Sequence, residues 1–285
     1  MTKLKIAIQK KGRLNEGSVD LLKKCGLKIE KSRNKLIIPC PSENIELLLV
    51  RDDDIPLYLE NNIADIAILG LNEMKESSFE ANMEVLRYLD FAKCRLSLAA
   101  ISGQDLKLEN SSIATSYPKV LKEYLKSEKI NANVIEISGC VEIAPRVGIS
   151  DYICDLVSTG ATLRANGLEE MLSILDSEAV LIKKTSPLAT GKQKILERLE
   201  ARIESVLGAR NTKYIMMNAP IESANKIASF LSSMEAPTIL PLLNDSEKVA
   251  IHAATREDKV WSTIESLKEL GASSILISSI EKVMV

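Results

Sequence analysis

Over its first two-thirds the chain alternates short β-like runs with amphipathic helical stretches, a pattern that confines it to an α/β fold with helices covering a sheet. The strand candidates are Leu4–Ile8, Leu36–Pro39, Ile45–Arg51, Ile66–Gly70, Arg95–Ile101, Ser112–Thr115, Asn133–Ile137, Tyr152–Val157 and Ala179–Lys183. Helices are expected between them: Ser18–Cys25 closed by Gly26, Ile55–Asn61 behind an acidic cap at Asp54, and Lys119–Ser127 after Pro118. A break at Thr185–Lys192 leads into a helical Gln193–Leu207. After Gly208 the pattern becomes strand Tyr214–Asn218, helix Ile221–Ser232, strands Thr238–Leu242 and Val249–Ala254, helix Asp258–Leu270 and strand Ser274–Ser278. That βαββαβ order is the ferredoxin-like arrangement.

Composition narrows the function classes. With 37 basic and 39 acidic side chains the net charge is −2, so no global field draws the chain to nucleic acid or an anionic membrane. Aromatics at 4% leave few platforms for stacking bases. Five cysteines, widely spaced and with no C-x-x-C pair, read as free thiols in a reducing cytoplasm. The single histidine, His252, sits in an apolar strand-like run, which suits packing better than catalysis.

The chemistry concentrates at Asp155-Leu-Val-Ser-Thr-Gly-Ala-Thr162, where an apolar strand delivers the chain to small and hydroxylated residues before a helix. Ser158, Thr159, Gly160, Ala161 and Thr162 either cradle a phosphate or simply cap the next turn, with Asn166 and Glu169 spaced as a capping box. The Gly-Lys-Ser/Thr ending of a Walker A loop is missing. Asp155 and Glu142, each near a strand end, are either surface acids or acceptors for vicinal hydroxyls such as those of a ribose. Lys10, Lys11 and Arg13 crowd a helix start, where the dipole favours anions; they are solvated charge or a polyphosphate site. Asp90 and Arg95 flank a segment that reads as a crossover linker or as further anion contacts. Arg51–Asp54 offers carboxylates for Mg²⁺, or a strand end and a helix cap.

The runs Ile6–Leu14, Val50–Pro56, Leu89–Leu96, Ile113–Pro118, Val141–Arg146 and Asp155–Leu168 closely resemble the ATP phosphoribosyltransferase family. The tail resembles that family's long form through Lys213–Met217, Ala236–Leu242 and Leu270–Leu276. The resemblance implies a two-lobed core like a periplasmic binding protein, with lobe I at 1–92 and 184–208, lobe II at 93–183, and a regulatory ferredoxin-like domain at 209–285. The chain then crosses between lobes near Lys93 and at Lys183–Ser186. It further implies that Ser158–Thr162 bind the 5′-phosphate of phosphoribosyl pyrophosphate, that Asp155 and Glu142 are the catalytic pair holding its ribose, and that Lys10, Lys11, Arg13, Asp90 and Arg95 meet ATP and pyrophosphate. Mg²⁺ is the expected cofactor. Histidine is the expected feedback inhibitor, with Asn218, Thr238, Ser273 and Ser274 as its contacts. Homo-oligomers, dimer and hexamer, follow from the same resemblance.

Overall fold

The structure is a computed structural model that describes residues 3–30, 35–231 and 236–283. The chain divides into two compact units, Met1–Leu196 and Glu197–Val285. In the first, the order is β1 (Leu4–Gln9), α1 (Arg13–Lys24), β2 (Ile37–Cys40), β3 (Ile45–Val50), α2 (Ile55–Glu60), β4 (Ile66–Gly70), α3 (Leu71–Glu76) and β5 (Met83–Tyr88). There follow β6 (Cys94–Ile101), β7 (Ser112–Thr115), α4 (Pro118–Glu128), β8 (Asn133–Glu136), β9 (Tyr152–Val157), α5 (Ala161–Ala165), β10 (Leu168–Ser177) and β11 (Ala179–Lys184). Helix α6 (Thr190–Arg210) runs across the division between the two units, which falls within the helix. The second unit adds β12 (Thr212–Pro220), α7 (Ala224–Leu231), β13 (Thr238–Leu242), β14 (Asp245–Arg256), α8 (Val260–Glu269) and β15 (Ser273–Ser279). Ser232, at the end of one expected helix, lies outside the described residues.

Two sheets make the two lobes of the first unit. Lobe I is a six-stranded sheet in the order β2-β3-β1-β4-β11-β5, and lobe II a five-stranded sheet in the order β10-β6-β9-β7-β8. Strand β1 pairs in parallel with β3 and β4; its Leu4, Ile6, Ala7 and Ile8 are buried, as a strand covered on both faces requires. Strand β11 corrects the expected lobe boundary. It pairs antiparallel with both β4 and β5, and its Val180, Leu181 and Ile182 are fully buried there. The return crossing therefore falls at Glu178, between β10 and β11, and not at Lys183–Ser186. An apolar run announces a strand but not which sheet will bury it.

The two crossings are hydrogen-bonded to each other: Leu89 N–H donates to Ala179 O, and Ala179 N–H to Phe91 O, both at 2.9 Å. Asp90 (φ 57°) and Ala92 (φ 54°) turn the first crossing through the left-handed region, which for alanine is strained. Between them Phe91 packs on Gly17 of α1, where an added Cβ would lie 2.3 Å from the ring's Cδ2. In an open helix, glycine to alanine gains about 1 kcal/mol; here overpacking costs about 1–3 kcal/mol and dominates. Gly17→Ala is expected to lower the Tm by a few degrees. A raised Tm in a thermal melt would show that Phe91 yields freely.

Strands β5 and β10 were not apparent from the sequence. Each lies at the edge of its sheet. In β10, shifts of register between Glu170 and Leu172 and between Ser173 and Leu175 break the period-two alternation. The capping box is also corrected. Asn166 ends α5 instead of starting a helix, its amide N–H and side-chain Nδ2 both donating to Thr162 O. Gly167 (φ 68°) then turns the chain so that Glu169 pairs with Ala100 in the sheet. Asp54 occupies the N-cap position of α2 but makes no side-chain cap hydrogen bond.

The second unit is an antiparallel sheet in the order β13-β14-β12-β15, the ferredoxin-like arrangement. Ile215, Met217, Ile251 and Ala253 form its core with Ile227 and Leu231 of α7 and Leu267 of α8. The alternate residues of β12 face the other side of the sheet. There the Tyr214 hydroxyl meets His252 Nδ1 at 2.9 Å, and the two rings pack edge to face.

Candidate active site

Strand β9 carries Asp155 and ends at Val157, and the hydroxyl loop follows. Gly160 (φ 70°) makes the tight turn into α5. A side chain there would be strained and would place a Cβ 2.9 Å from Arg164 Nη1. Arg164 itself folds back and donates from Nη2 to Thr159 O at 3.1 Å. From lobe I, Arg13 at the start of α1 reaches across and donates from Nη1 and Nη2 to Ser158 Oγ at 3.3 and 3.2 Å. Two expected residues 145 positions apart therefore meet at the loop.

Asp155 and Glu142 also come together. Glu142 rides on a short 3₁₀ turn, Val141–Ile143, anchored by buried Val141 and Ala144. Burial pushes the Asp155 carboxyl up to about 6; the Leu156 amide, donating to Oδ1 at 2.7 Å, opposes that, and the Glu142 charge reinforces it. Two half-buried acids that repel each other beside a hydroxyl loop are suited to sharing a diol or a developing positive charge.

A cleft of about 490 Å³ is lined by Lys93, Cys94, Arg95, Ser158 and Ser177, among others. Arg95 lies on it, its Nε and Nη2 donating side by side to the Glu170 carboxylate of β10, while Ser97 Oγ donates to the same carboxylate at 2.8 Å. Asp90 pairs with Lys93. Lys10 and Lys11 are exposed at the end of β1. The sequence reading missed Glu73, Asn72 and Tyr117, which join the lobes beside Asp155. Tyr117 stands in the Ile113–Pro118 run that carried the family resemblance, and nothing local marks its partners.

In the second unit, Asn218 pairs with Ser273, whose Oγ donates to Asn218 O at 3.4 Å, and Ser274 (φ 52°) turns beside them. Thr238 does not join them. It pairs with His252 on β14, two strand spacings from Asn218 and three from Ser273, ~10 and ~14 Å across the sheet.

A family model described as ATP phosphoribosyltransferase matches residues 51–205, more than half of the chain. The chain belongs to the ATP phosphoribosyltransferase family. A second model, for the C-terminal domain of the same family, matches residues 209–282, which makes this the long form. Among solved structures, the ATP phosphoribosyl transferase (HisG:HisZ) complex from Thermotoga maritima is similar at 31% identity and TM-score 0.60, covering 70% of this chain and 98% of that one. Protein AF1704 from Archaeoglobus fulgidus is similar at 9% identity and TM-score 0.47, with 70% and 75% coverage. A histidine kinase sensor domain with similarity to periplasmic binding proteins follows at 10% and 0.46, with 71% and 88%. The chain is thus an enzyme of the phosphoribosyltransferase class, acting in the first step of histidine biosynthesis.

Proposed function

We propose that the enzyme joins N1 of the adenine ring of ATP to C1′ of phosphoribosyl pyrophosphate and releases pyrophosphate. The observation that carries this assignment is the meeting of Arg13 with Ser158 beside the Asp155–Glu142 pair. Ser158, Thr159, Gly160, Ala161 and Thr162 take the 5′-phosphate through hydroxyl and backbone donors. Asp155 and Glu142 accept from the ribose hydroxyls and face the positive charge that develops at C1′ as the bond to pyrophosphate breaks. Lys10, Lys11, Arg13 and Arg95, with Asp90, serve ATP and the departing pyrophosphate. No covalent nucleophile is required; the chain's work is alignment and charge complementarity.

Among the described residues no three His, Cys, Asp or Glu side chains stand together as a metal cage. A Mg²⁺ ion would be held mainly by substrate oxygens and water. The ion would neutralise charge on the leaving group.

Histidine acts as feedback inhibitor at the second unit, with Asn218, Ser273 and Ser274 as one group of contacts and Thr238 as a separate one. Exposed Leu240 and Leu276, on the sheet face away from the helices, support assembly into homo-oligomers. No helix among the described residues is long and apolar enough to cross a membrane, and a cytoplasmic location suits the substrates.

Pyrophosphate release from phosphoribosyl pyrophosphate is expected with ATP and Mg²⁺, and not with free nucleobases or other nucleoside triphosphates. Release with a different acceptor, and none with ATP, would replace this reading with another phosphoribosyltransferase.

A further inference from the structure

The two covalent crossings are not the only ties between the lobes. Helix α3 of lobe I lies against the start of α4 in lobe II, and polar side chains fill the contact. The Tyr117 hydroxyl donates to Glu73 Oε1 at 2.9 Å. Asn72 Nδ2 donates to the same oxygen at 2.9 Å and to the Tyr117 hydroxyl at 3.3 Å. Asn72 is held in turn by Ser177, which donates from Oγ to Asn72 Oδ1 at 2.7 Å and accepts from the Asn72 amide at 3.1 Å. One turn along, Glu76 accepts from the Lys119 and Val120 amides at 2.8 and 3.0 Å, capping α4 from the other lobe. Lys119 Nζ closes the group on Lys75 O, Ser77 O and Glu80. Burial, then the charge and hydrogen bond of Glu73, hold the Tyr117 phenol well above its ordinary range, and the charge of Asp155 adds to this.

We propose that Glu73 and Tyr117 are a positioning pair that sets lobe I against lobe II so that the ribose-binding Asp155 and the loop at Ser158 are aligned for phosphoribosyl pyrophosphate. This rests on the phosphoribosyl reading of that loop. Neither residue is required to touch substrate. The pair is far from local in sequence, and removing the Tyr117 hydroxyl leaves Glu73 with only Asn72 as a hydrogen-bond partner among those described.

Glu73 makes the contact sensitive to pH. Burial pushes its carboxyl up to about 7; the Tyr117 hydrogen bond opposes this, and the charges of Asp52 and Asp53, after β3, and of Glu76 add to it. Cys94, at the start of β6, feels the Glu73 charge as well as that of Arg13. A carboxyl whose pKa is higher in the folded chain than in water contributes its stability while protonated, and that stability is lost as pH climbs from the ordinary carboxylate range through about 7; the Tyr117 hydrogen bond taken alone favours the ionised form. A neutral glutamine accepts the same hydrogen bond at every pH.

The test is a double-mutant cycle with Glu73→Ala, Tyr117→Phe and both together, with Glu73→Gln beside it as the pH control, read out as KM for phosphoribosyl pyrophosphate, as kcat, and as thermal unfolding without substrate, from pH 6 to 8.5. Tyr117→Phe should raise KM ~10-fold with a smaller change in kcat. The Glu73→Ala/Tyr117→Phe variant should lose clearly less than the sum of the two single losses. Glu73→Gln should match the wild type at pH 6 and show a higher Tm than the wild type at pH 8.5. The phosphoryl group of the substrate also titrates near pH 6, and the ratio of variant to wild type removes its effect. Additive losses in KM and Tm, or a Glu73→Gln enzyme that parallels the wild type at every pH, would overturn the pair. A wild type without turnover on ATP and phosphoribosyl pyrophosphate would overturn the parent reading instead, and the unfolding cycle would still judge the pair.

Discussion

Asp155→Asn is expected to lower turnover by about 10²–10³-fold, the range for losing one group aimed at developing charge, and at the same time to raise the Tm at neutral pH. The two effects share a cause. Burial and the neighbouring Glu142 hold the Asp155 carboxyl up to about 6, so the folded state favours its neutral form. The stability contributed by that form is complete below about pH 4 and is lost as pH rises through about 6. At pH 7 the wild type bears the cost of a charged, half-buried acid, on the order of 1–2 kcal/mol. Asparagine avoids that cost and still accepts the Leu156 amide. At ~2–4 °C per kcal/mol for a chain of this size, the variant should melt several degrees higher. Wild-type turnover should rise with pH through about 6, and the variant should lack that limb. Unchanged kinetics, or activity and Tm falling together, would show the carboxylate to be structural.

Removing the chain after Gly208 is expected to abolish inhibition by histidine. The second unit has its own core around Ile215, Ile251 and Leu267, so an inhibitor held there acts only through differential affinity for two arrangements of the enzyme. Initial rates against histidine concentration should show inhibition that excess ATP does not relieve in the full chain, and none in the shortened one. Asn218→Ala and Ser273→Ala in the full-length protein give the same reading without deletion, each expected to weaken inhibition ~10-fold or more. If the shortened chain and both variants remain as sensitive as the wild type, the inhibitor binds elsewhere.

What could be read in advance follows from how local each signal is. Strands β1, β4 and β9 declare themselves because their apolar runs are covered on both faces. The loop from Asp155 to Thr162 was legible because strand, turn and hydroxyls are contiguous. Edge strands β5 and β10 carry polar residues and irregular register, so Leu168–Ser177 resembles an extension of the helix before it. The return crossing was misplaced because Ala179–Lys183 reads as a strand in either lobe until its partners β4 and β5 are known. Glu73 and Tyr117, 44 residues apart, meet only through the packing of α3 on α4. Thr238 was grouped with Asn218 and Ser273 although β14 lies between their strands.

The position of β11 also bears on how the chain is born. Among the described residues strand β5 has no partner in its sheet except β11, and β11 is made only after all the strands of lobe II. During synthesis, then, the lobe that begins first finishes last. Lobe II closes on its own contiguous residues, whereas β5, with β4 as the sheet's temporary edge, waits about ninety residues for its neighbour, several seconds at ribosomal speeds. A nascent chain stalled before Ala179 exposes an unpaired edge, and this is the length at which a chaperone would find most to hold.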